Sequence, residues 1–276
     1  MKREQIFVEE RKRAVLDFVN ERKRATVAEL CARFGVSPAT MRSDLRDLEQ
    51  GGLLVRTHGG ATVKDKARFE LDARAKEVQH AAEKRAVARR ALECIEDGDA
   101  ILVDTGSTTL ELAALLQARR DVTVVTNDLA IAQLLEDHPR ATIHLVGGVV
   151  RKRFHCTVGT RAEQFLAGLR VDKAFMAANS FSVASGATTP DLGHAEIKRR
   201  MMTIATKIFL LVDSSKLGKS SFAQFAPADA IDCLVVDSID PAEARALEEL
   251  GVEVLLAPSA EPGEGSPPSR AGAGHR

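Results

Sequence analysis

TVAELCARFGVSPATMRSDLRDLEQGGLLVRTHGGATV, residues 26 to 63, reads as two short helices around a tight turn, followed by a β-hairpin. Thr26 stands three residues before Glu29, the spacing of a capping box in which hydroxyl and carboxylate each satisfy an orphaned backbone N–H. Gly35 is placed to end that helix in the left-handed conformation. Ser37 suits the N-cap of the second helix and Pro38 its first position, where a missing N–H costs nothing. Met41, Leu45 and Leu48 fall at i, i+4 and i+7 and make one buried stripe. The opposite face carries Ala39, Thr40, Arg42, Ser43 and Arg46, small or basic groups near the N-terminal end, where a recognition helix meets base edges and phosphates. Gly51-Gly52 stops the helix, Leu53 to Arg56 reads as a strand, and His58-Gly59-Gly60 as the turn of a wing whose Arg56 and His58 are placed to touch the phosphate backbone. This is the layout of a winged helix-turn-helix, with double-stranded DNA as the expected partner. Short helix pairs occur in many folds and surface arginines are usually just solvated; agreement of caps, turn, stripe and basic face in one register favours the DNA reading.

Outward from this stretch, Ala14, Val15, Phe18 and Val19 share one helical face between Arg13 and Val19 and supply the first helix of a three-helix domain, residues 8 to 63. Residues 64 to 82 are charged and poor in large apolar groups, so they read as a linker, partly helical. A helix from Glu83 to Ile95 follows, stopped by Asp97-Gly98. From residue 100 short β-rich runs alternate with helical stretches: AILVD, VTVVT, TIHLV, KAFMAA, KIFLLV, DCLVV and VEVLL. That alternation implies a mainly parallel α/β sheet with helices on both faces, over residues 83 to 257. Residues 258 to 276, rich in Pro, Gly, Ser and Ala, are expected to be a disordered tail.

The net charge of the whole chain is +0, yet residues 1 to 60 hold 12 Lys/Arg against 9 Asp/Glu, a modest basic bias that supports a DNA-binding end only weakly. No run of 18 apolar residues and no basic-apolar-small leader is present, so no membrane partner is expected and the cytoplasm is the expected compartment. Cys31, Cys94, Cys156 and Cys233 lie far apart and read as free thiols, with Cys31 expected to be buried in the helix-turn-helix. His138, His144, His155 and His194 show no metal-ligand spacing, so no metal and no cofactor are expected. The chain lacks Trp and Tyr, which argues against a stacking platform for single strands.

In an open parallel sheet, ligands sit in the crevice beyond the carboxyl ends of the strands. Several polar clusters fall there. Asp104-Thr105-Gly106-Ser107-Thr108-Thr109 follows the first strand and opens a helix, which is chemistry for a phosphate or another anion. Thr126-Asn127 ends the second strand, Gly147-Gly148 the third with Arg151 just beyond, and Asp213-Ser214-Ser215-Lys216 a later one; Lys198 lies near the start of a helix after Thr188-Thr189-Pro190-Asp191. Strand-to-helix loops hold such residues for turn and cap reasons too, and Asp104 or Asp213 is also readable as a cap. Four clusters ending successive strands favour a small phosphorylated, polyhydroxylated ligand. Neither a dinucleotide fingerprint nor a P-loop follows any strand.

Two halves together identify the chain as resembling the DeoR family of bacterial transcription regulators. SPATMRSDLRDLEQGGLLVRTHGGA carries the family's S-x-x-T-[apolar]-R-x-D-L core and R-x-H-G-G wing; VDTGSTTLELA, VVTNDLAIA, LVGGVVR, VDKAF, ATTPD, AEIKRRM and VDSSK follow in the family's order. The resemblance covers residues 8 to 257. It implies a repressor, less often an activator, of a carbohydrate catabolic operon, with DNA binding modulated by a sugar phosphate in a C-terminal sensor domain related in fold to ribose-5-phosphate isomerase and coenzyme A transferases. Carried over position by position, the effector contacts fall on Asp104, Gly106, Ser107, Thr108, Thr109, Asn127, Gly148, Arg151, Lys198 and Lys216. One departure is Asn179-Ser180 where the family commonly has Asn-Gly, and the serine side chain is expected to narrow the pocket. The alternative is an isomerase-like enzyme with an accessory DNA-binding domain. It needs a carboxylate base within reach of substrate, and Asn179-Ser180-Phe181-Ser182 offers none, so the expectation is no enzyme. Two half-sites about one helical turn apart require a homo-oligomer, dimer or tetramer. Ligand closing the loops around Ser107 and Lys216 is expected to act on the DNA-binding domains through the linker.

Overall fold

The computed structural model describes residues 8–22, 24–50, 53–63 and 70–257. The chain divides into two units, with the boundary between Leu71 and Asp72.

The first unit comprises α1 (Val8–Arg22), β1 (Arg24–Thr26), α2 (Val27–Phe34), α3 (Pro38–Gln50), β2 (Leu54–Thr57) and β3 (Gly60–Val63). Thr26 and Glu29 form the expected capping box, Glu29 N–H to Thr26 Oγ1 at 3.2 Å and Thr26 N–H to Glu29 Oε2 at 2.7 Å. Gly35 ends α2 at φ 67°. Val15, Val19, Leu30, Met41, Leu45 and Leu48 meet in one core. A bidentate pair from Arg11 to the buried Asp44 (2.7 and 3.2 Å) ties α1 to α3. Cys31 is half-buried rather than buried, because α2 turns Leu30, its neighbour, into the core.

The wing differs from the expectation in three ways. Its first hairpin strand runs Leu54–Thr57, so Leu53 lies outside it, and the turn is only His58-Gly59 because Gly60 already pairs with Thr57. A third strand, β1, joins the hairpin antiparallel in the order β1-β3-β2. At three residues it is too short to leave a periodic signal. Gly60 stands opposite Thr26, where an added Cβ would lie 2.0 Å from the Ala25 carbonyl oxygen, so the glycine is required by the close approach of two backbones. The helix stop at Gly51-Gly52 lies outside the described residues; α3 ends at Gln50.

The second unit runs α4 (Ala73–Glu77), α5 (Ala81–Leu92), β4 (Ala100–Val103), α6 (Ser107–Leu115), β5 (Thr123–Thr126), α7 (Leu129–Leu135), β6 (Thr142–Leu145), β7 (Val149–Arg151), β8 (Cys156–Val158) and α8 (Thr160–Leu166). It continues through β9 (Val171–Ala177), β10 (Ser180–Ser182), β11 (Gly186–Thr189), α9 (Leu192–Met202), β12 (Ala205–Leu211), β13 (Ala223–Ala226), β14 (Cys233–Val236), α10 (Pro241–Glu249) and β15 (Glu253–Leu256). The seven apolar runs of the sequence form one seven-stranded sheet, order β15-β14-β12-β9-β4-β5-β6, and every pairing in it is parallel. Side chains alternate strictly between two cores. Ile101, Val103, Phe175, Phe209 and Val235 face α5, α6 and α7, while Leu102, Met176, Leu210 and Leu234 face α8, α9 and α10. Phe175 and Phe209 stack at 5.0 Å between centroids.

The chain leaves β4 toward β5 and β6, then returns to build β9, β12, β14 and β15 on the other side. The strand order therefore reverses between β4 and β9, and a crevice opens beyond their carboxyl ends. Two small antiparallel sheets, β7-β8 and β10-β11-β13, stand outside the large one. No reading of the sequence anticipated them, since their strands are three or four residues long.

The stretch expected as a linker is partly built into this unit. Residues 64–69 and the expected tail from 258 lie outside the described residues. Asp72 caps α4 through Ala75 N–H (2.9 Å), and Ala73 N–H donates to Arg153 O (3.0 Å), while Arg153 pairs with Asp72 at 2.9 Å. Arg153 and His155, in the loop closing β7-β8, have φ of 73° and 57°. That strain turns the loop carbonyls outward: Arg153 O accepts from Ala73, and His155 O accepts from Leu129 N–H at 2.7 Å.

Candidate functional site

In the first unit, Ser37 Oγ accepts Thr40 N–H at 3.1 Å and lies 2.9 Å from Thr40 Oγ1, so both side chains are occupied at the start of α3. Ala39, Arg42, Ser43 and Arg46 are exposed on the face opposite Met41 and Leu45. Arg42 and Arg46 make no ion pair among the described residues, whereas Arg56 N–H donates to Glu49 Oε1 (3.1 Å) and its guanidinium lies 3.7 Å from that carboxylate. His58 is exposed at the wing turn. The structure thus gathers the expected residues on one helix face and one wing of the same unit.

In the second unit the switch point holds a buried ion pair. Asp104 follows β4; its N–H donates to Phe175 O (3.0 Å), and its Oδ2 accepts Ala177 N–H (2.9 Å) and Lys198 Nζ. Lys198 Nζ also donates to Ala177 O at 2.9 Å. Asp104 is fully buried and Lys198 is 1% exposed. Lys198 sits in the second turn of α9, not at its start, which lets it reach back across β9 to β4. Asp104 caps nothing; Asp213 does cap, accepting Ser215 N–H at 3.2 Å.

The loop from Asp104 into α6 needs Gly106, since a Cβ there would meet the Ala177 Cβ at 2.7 Å. Gly106 offers no side-chain cap, so the first-turn N–H groups of α6, which begins at Ser107, stay open to an anion; α7, α9 and α10 are each capped by an aspartate. Thr108 and Thr109 are buried, with Thr109 Oγ1 bonded to Gly106 O at 2.9 Å. Asn127, beyond β5, is fully buried and donates through Nδ2 to Thr157 O at 2.9 Å.

Gly148 and Arg151 belong to the β7 hairpin; Arg151 stacks on Phe154 (3.8 Å to the centroid) and approaches Asp191 at 3.8 Å. Lys216 lies in a short 3-10 turn beyond β12. Neighbouring strands lie about 4.8 Å apart, so the ends of β12 and β5 flank β4 at roughly 10 and 5 Å. The expected residues therefore form a row along one edge of the sheet rather than one tight cluster. The Ser180 hydroxyl lies 3.0 Å from Ser221 Oγ, so it is bonded within the loops rather than left without a partner.

Three residues escaped the sequence reading. Lys84, on α5, is 2% exposed and donates to Gln79 O at 2.6 Å and to Lys76 O; burial pulls its ammonium down to about 8, against the pull of Asp213. Asp128 caps α7 through Ala130 and Ile131 N–H (2.7 and 3.1 Å) and accepts the Thr105 hydroxyl; burial raises its carboxyl, and those hydrogen bonds oppose the rise. His194 lies one turn before Lys198 on α9. A lysine inside an amphipathic helix gives no signal that it is buried, and the sequence offers no way to see which loop an aspartate spans.

Among the described residues, no group of three His, Cys, Asp or Glu is placed to hold a metal ion, and no helix is long and apolar enough to cross a membrane. Comparison with known proteins follows the two units. Residues 11–67 match the DeoR-like helix-turn-helix domain, and residues 79–238 match the DeoR C terminal sensor domain. The HTH-type transcriptional regulator GlpR of Haloferax volcanii is 37% identical over 247 residues, covering 89% of this chain and 96% of its own. A putative aga operon transcriptional repressor of Escherichia coli O157:H7 is 32% identical over 250 residues, covering 90% and 93%. A D-ribose-5-phosphate isomerase solved with phospho-erythronic acid is similar over 49% of this chain and 52% of that one, at 21% identity and a TM-score of 0.37. With both domains matched in order and its relatives covered almost end to end, the chain belongs to the DeoR family of transcription regulators.

Proposed function

We propose that the chain represses a carbohydrate catabolic operon and that a phosphorylated sugar, bound along the carboxyl ends of the parallel strands, sets its hold on operator DNA. The observation that carries the effector half is a row of buried, unpartnered acceptors at three strand ends: Asp104 Oδ1 after β4, Asn127 Oδ1 after β5 and Asp213 Oδ2 after β12. Each such atom costs about 1–3 kcal/mol unless a donor reaches it. Hydroxyls of a polyol supply donors; the open N–H groups of α6, with Arg151 and Lys216, supply the counterpart for its phosphate.

Arg42 and Arg46 read the major groove from α3, with Ala39, Thr40 and Ser43 beside them; Ser37 and the wing residues Arg56 and His58 meet the phosphate backbone. Two copies span the two half-sites of an operator, so the working form is a dimer or tetramer, acting in the cytoplasm. The protein is read as a receptor and not an enzyme, in keeping with relatives that are named transcription regulators. Turnover of any pentose phosphate by the purified protein would reverse that statement. The relatives' names, a GlpR regulator and an aga operon repressor, support the carbohydrate assignment.

The test is a gel shift on the DNA upstream of the chain's own gene, at fixed salt, with and without a panel of sugar phosphates. A retarded band that one sugar phosphate weakens or strengthens is the expected result, because an effector must prefer one state over the other. No binding in any ligand state, or binding that every sugar phosphate leaves unchanged, refutes the proposal.

A further inference from the structure

His194 and Lys198 stand four residues apart on α9 and so share a face. Lys198 on that face reaches Asp104 at the switch point, and His194, one turn nearer the helix start, is 4% exposed. The Thr189 hydroxyl donates its single proton to Asn179 Oδ1 at 3.0 Å. Toward His194 Nδ1, 3.3 Å away, that leaves the hydroxyl its acceptor role, the arrangement that assigns the ring proton to Nδ1. Nε2 is left as a bare lone pair, buried and without a partner.

The surroundings keep the ring neutral. Burial, followed by the positive charges of Lys198, Arg151 and Lys76, pushes the imidazole well below its ordinary value. On the approaching elements, Lys198 is paired with Asp104, Arg151 lies 3.8 Å from Asp191, and Lys76 lies 5.6 Å from the Phe154 ring centroid. With Asp104 and Asp191 offsetting two of the three cations, a net positive charge remains to draw an anion, while the neutral lone pair beside it needs a donor. A phosphate dianion alone offers no donor. A hydroxyl next to a phosphate satisfies both.

We propose that His194 Nε2 accepts a hydrogen bond from the effector hydroxyl that neighbours the phosphate, making His194 a specificity-determining residue for that hydroxyl. The inference rests on the sugar-phosphate reading above and sharpens it, because it ties recognition to one hydroxyl of the ligand.

The test uses the full chain with a panel of aldose and ketose phosphates and their deoxy analogues, read by thermal shift and titration calorimetry at pH 7.5. H194L removes the orphaned Nε2 acceptor together with the Nδ1 contact to Thr189, whose hydroxyl keeps its bond to Asn179, so H194L is expected to fold. A sugar phosphate that binds the wild type is expected to bind H194L about tenfold more weakly, and H194Q, whose amide oxygen is an acceptor, to recover most of the loss. One deoxy analogue is expected to bind wild type and H194L equally, closing the cycle on a single hydroxyl.

Equal binding of the parent sugar phosphate to wild type and H194L overturns the inference and leaves the sugar-phosphate reading standing. A uniform loss across every analogue overturns it too, since that marks a positioning role. If no panel member shifts the wild type, both statements fall together. Should H194L not fold, side-chain 15N spectra of the wild type decide, and an Nε2–H tautomer for His194 overturns the inference.

Discussion

Lys198→Met removes the ammonium from the buried pair and keeps the length of its apolar stem. Asp104 is then a fully buried carboxylate whose charged partner is gone, keeping only the Ala177 N–H. Breaking a buried pair from one side costs about 3–5 kcal/mol, because the remaining charge is stranded away from water. Ala177 O also loses its donor, a further cost of about 1 kcal/mol. For a unit of this size each kcal/mol lowers the melting midpoint by about 2–4 °C, so the drop expected in scanning calorimetry is about 8–24 °C. The companion variant is Asp104→Asn with Lys198→Met. It keeps an acceptor for Ala177 N–H but carries no charge, so it should recover most of the lost stability. A drop under about 2 °C for the single variant, or a double variant as unstable as the sum of the two singles, refutes the view that the pair is a buried, mutually dependent charge couple.

Three further outcomes follow from the same geometry. Lys84 has its folded value pulled from 10.5 to about 8, so above pH 8 the unfolded chain binds the extra proton and stability rises with pH, by at most about 1.4 kcal/mol per unit. Cys156 and Cys233, pushed up from 9 to about 12 by burial, hold their protons in the folded state and reverse the trend above pH 9; urea melts should therefore peak near pH 9, and Lys84→Met should abolish the rise between 8 and 9. Gly60→Ala drives a Cβ to 2.0 Å from the Ala25 carbonyl oxygen, and should cost about 1–3 kcal/mol in the first unit and abolish operator retardation while calorimetry still finds effector binding. Arg42→Ala should weaken specific operator binding by about 1–3 kcal/mol in a gel shift and leave effector binding intact; loss of both points to misfolding instead.

Much of the fold was legible because its signals are local. Thr26, Glu29, Gly35, Ser37 and Pro38 announce their helix ends by chemistry acting over three or four residues. The inner parallel strands announce themselves because both of their faces are buried, leaving continuous apolar runs such as AILV and FLLV, while the edge strands β6 and β15 are half exposed and show as short apolar runs. Strands β1, β7, β8 and β10 gave no such signal: three residues carry no period, and each exists only because a partner elsewhere in the chain satisfies its hydrogen bonds. Asp72 and Ala73 lie in a stretch whose charge and low hydrophobicity mark a linker, yet Arg153, 81 residues away from Asp72, holds them.

The sequence by itself determined the helix-turn-helix, the seven strands and the set of polar residues that end them, since caps, periodicity and loop chemistry depend on neighbours along the chain. Tertiary structure alone decided which of those polar residues meet. The reversal of strand order between β4 and β9 brings Asp104 to Lys198 across 94 residues, and the same face of α9 sets the lone pair of His194 one turn away. Lys84 is indistinguishable in the sequence from any solvated lysine, and nothing in the sequence shows that Lys198, though placed near the strand ends, is buried. Burial among carbonyls and carboxylates from distant strands makes them otherwise, because the energy of a charge is fixed by what surrounds it in space.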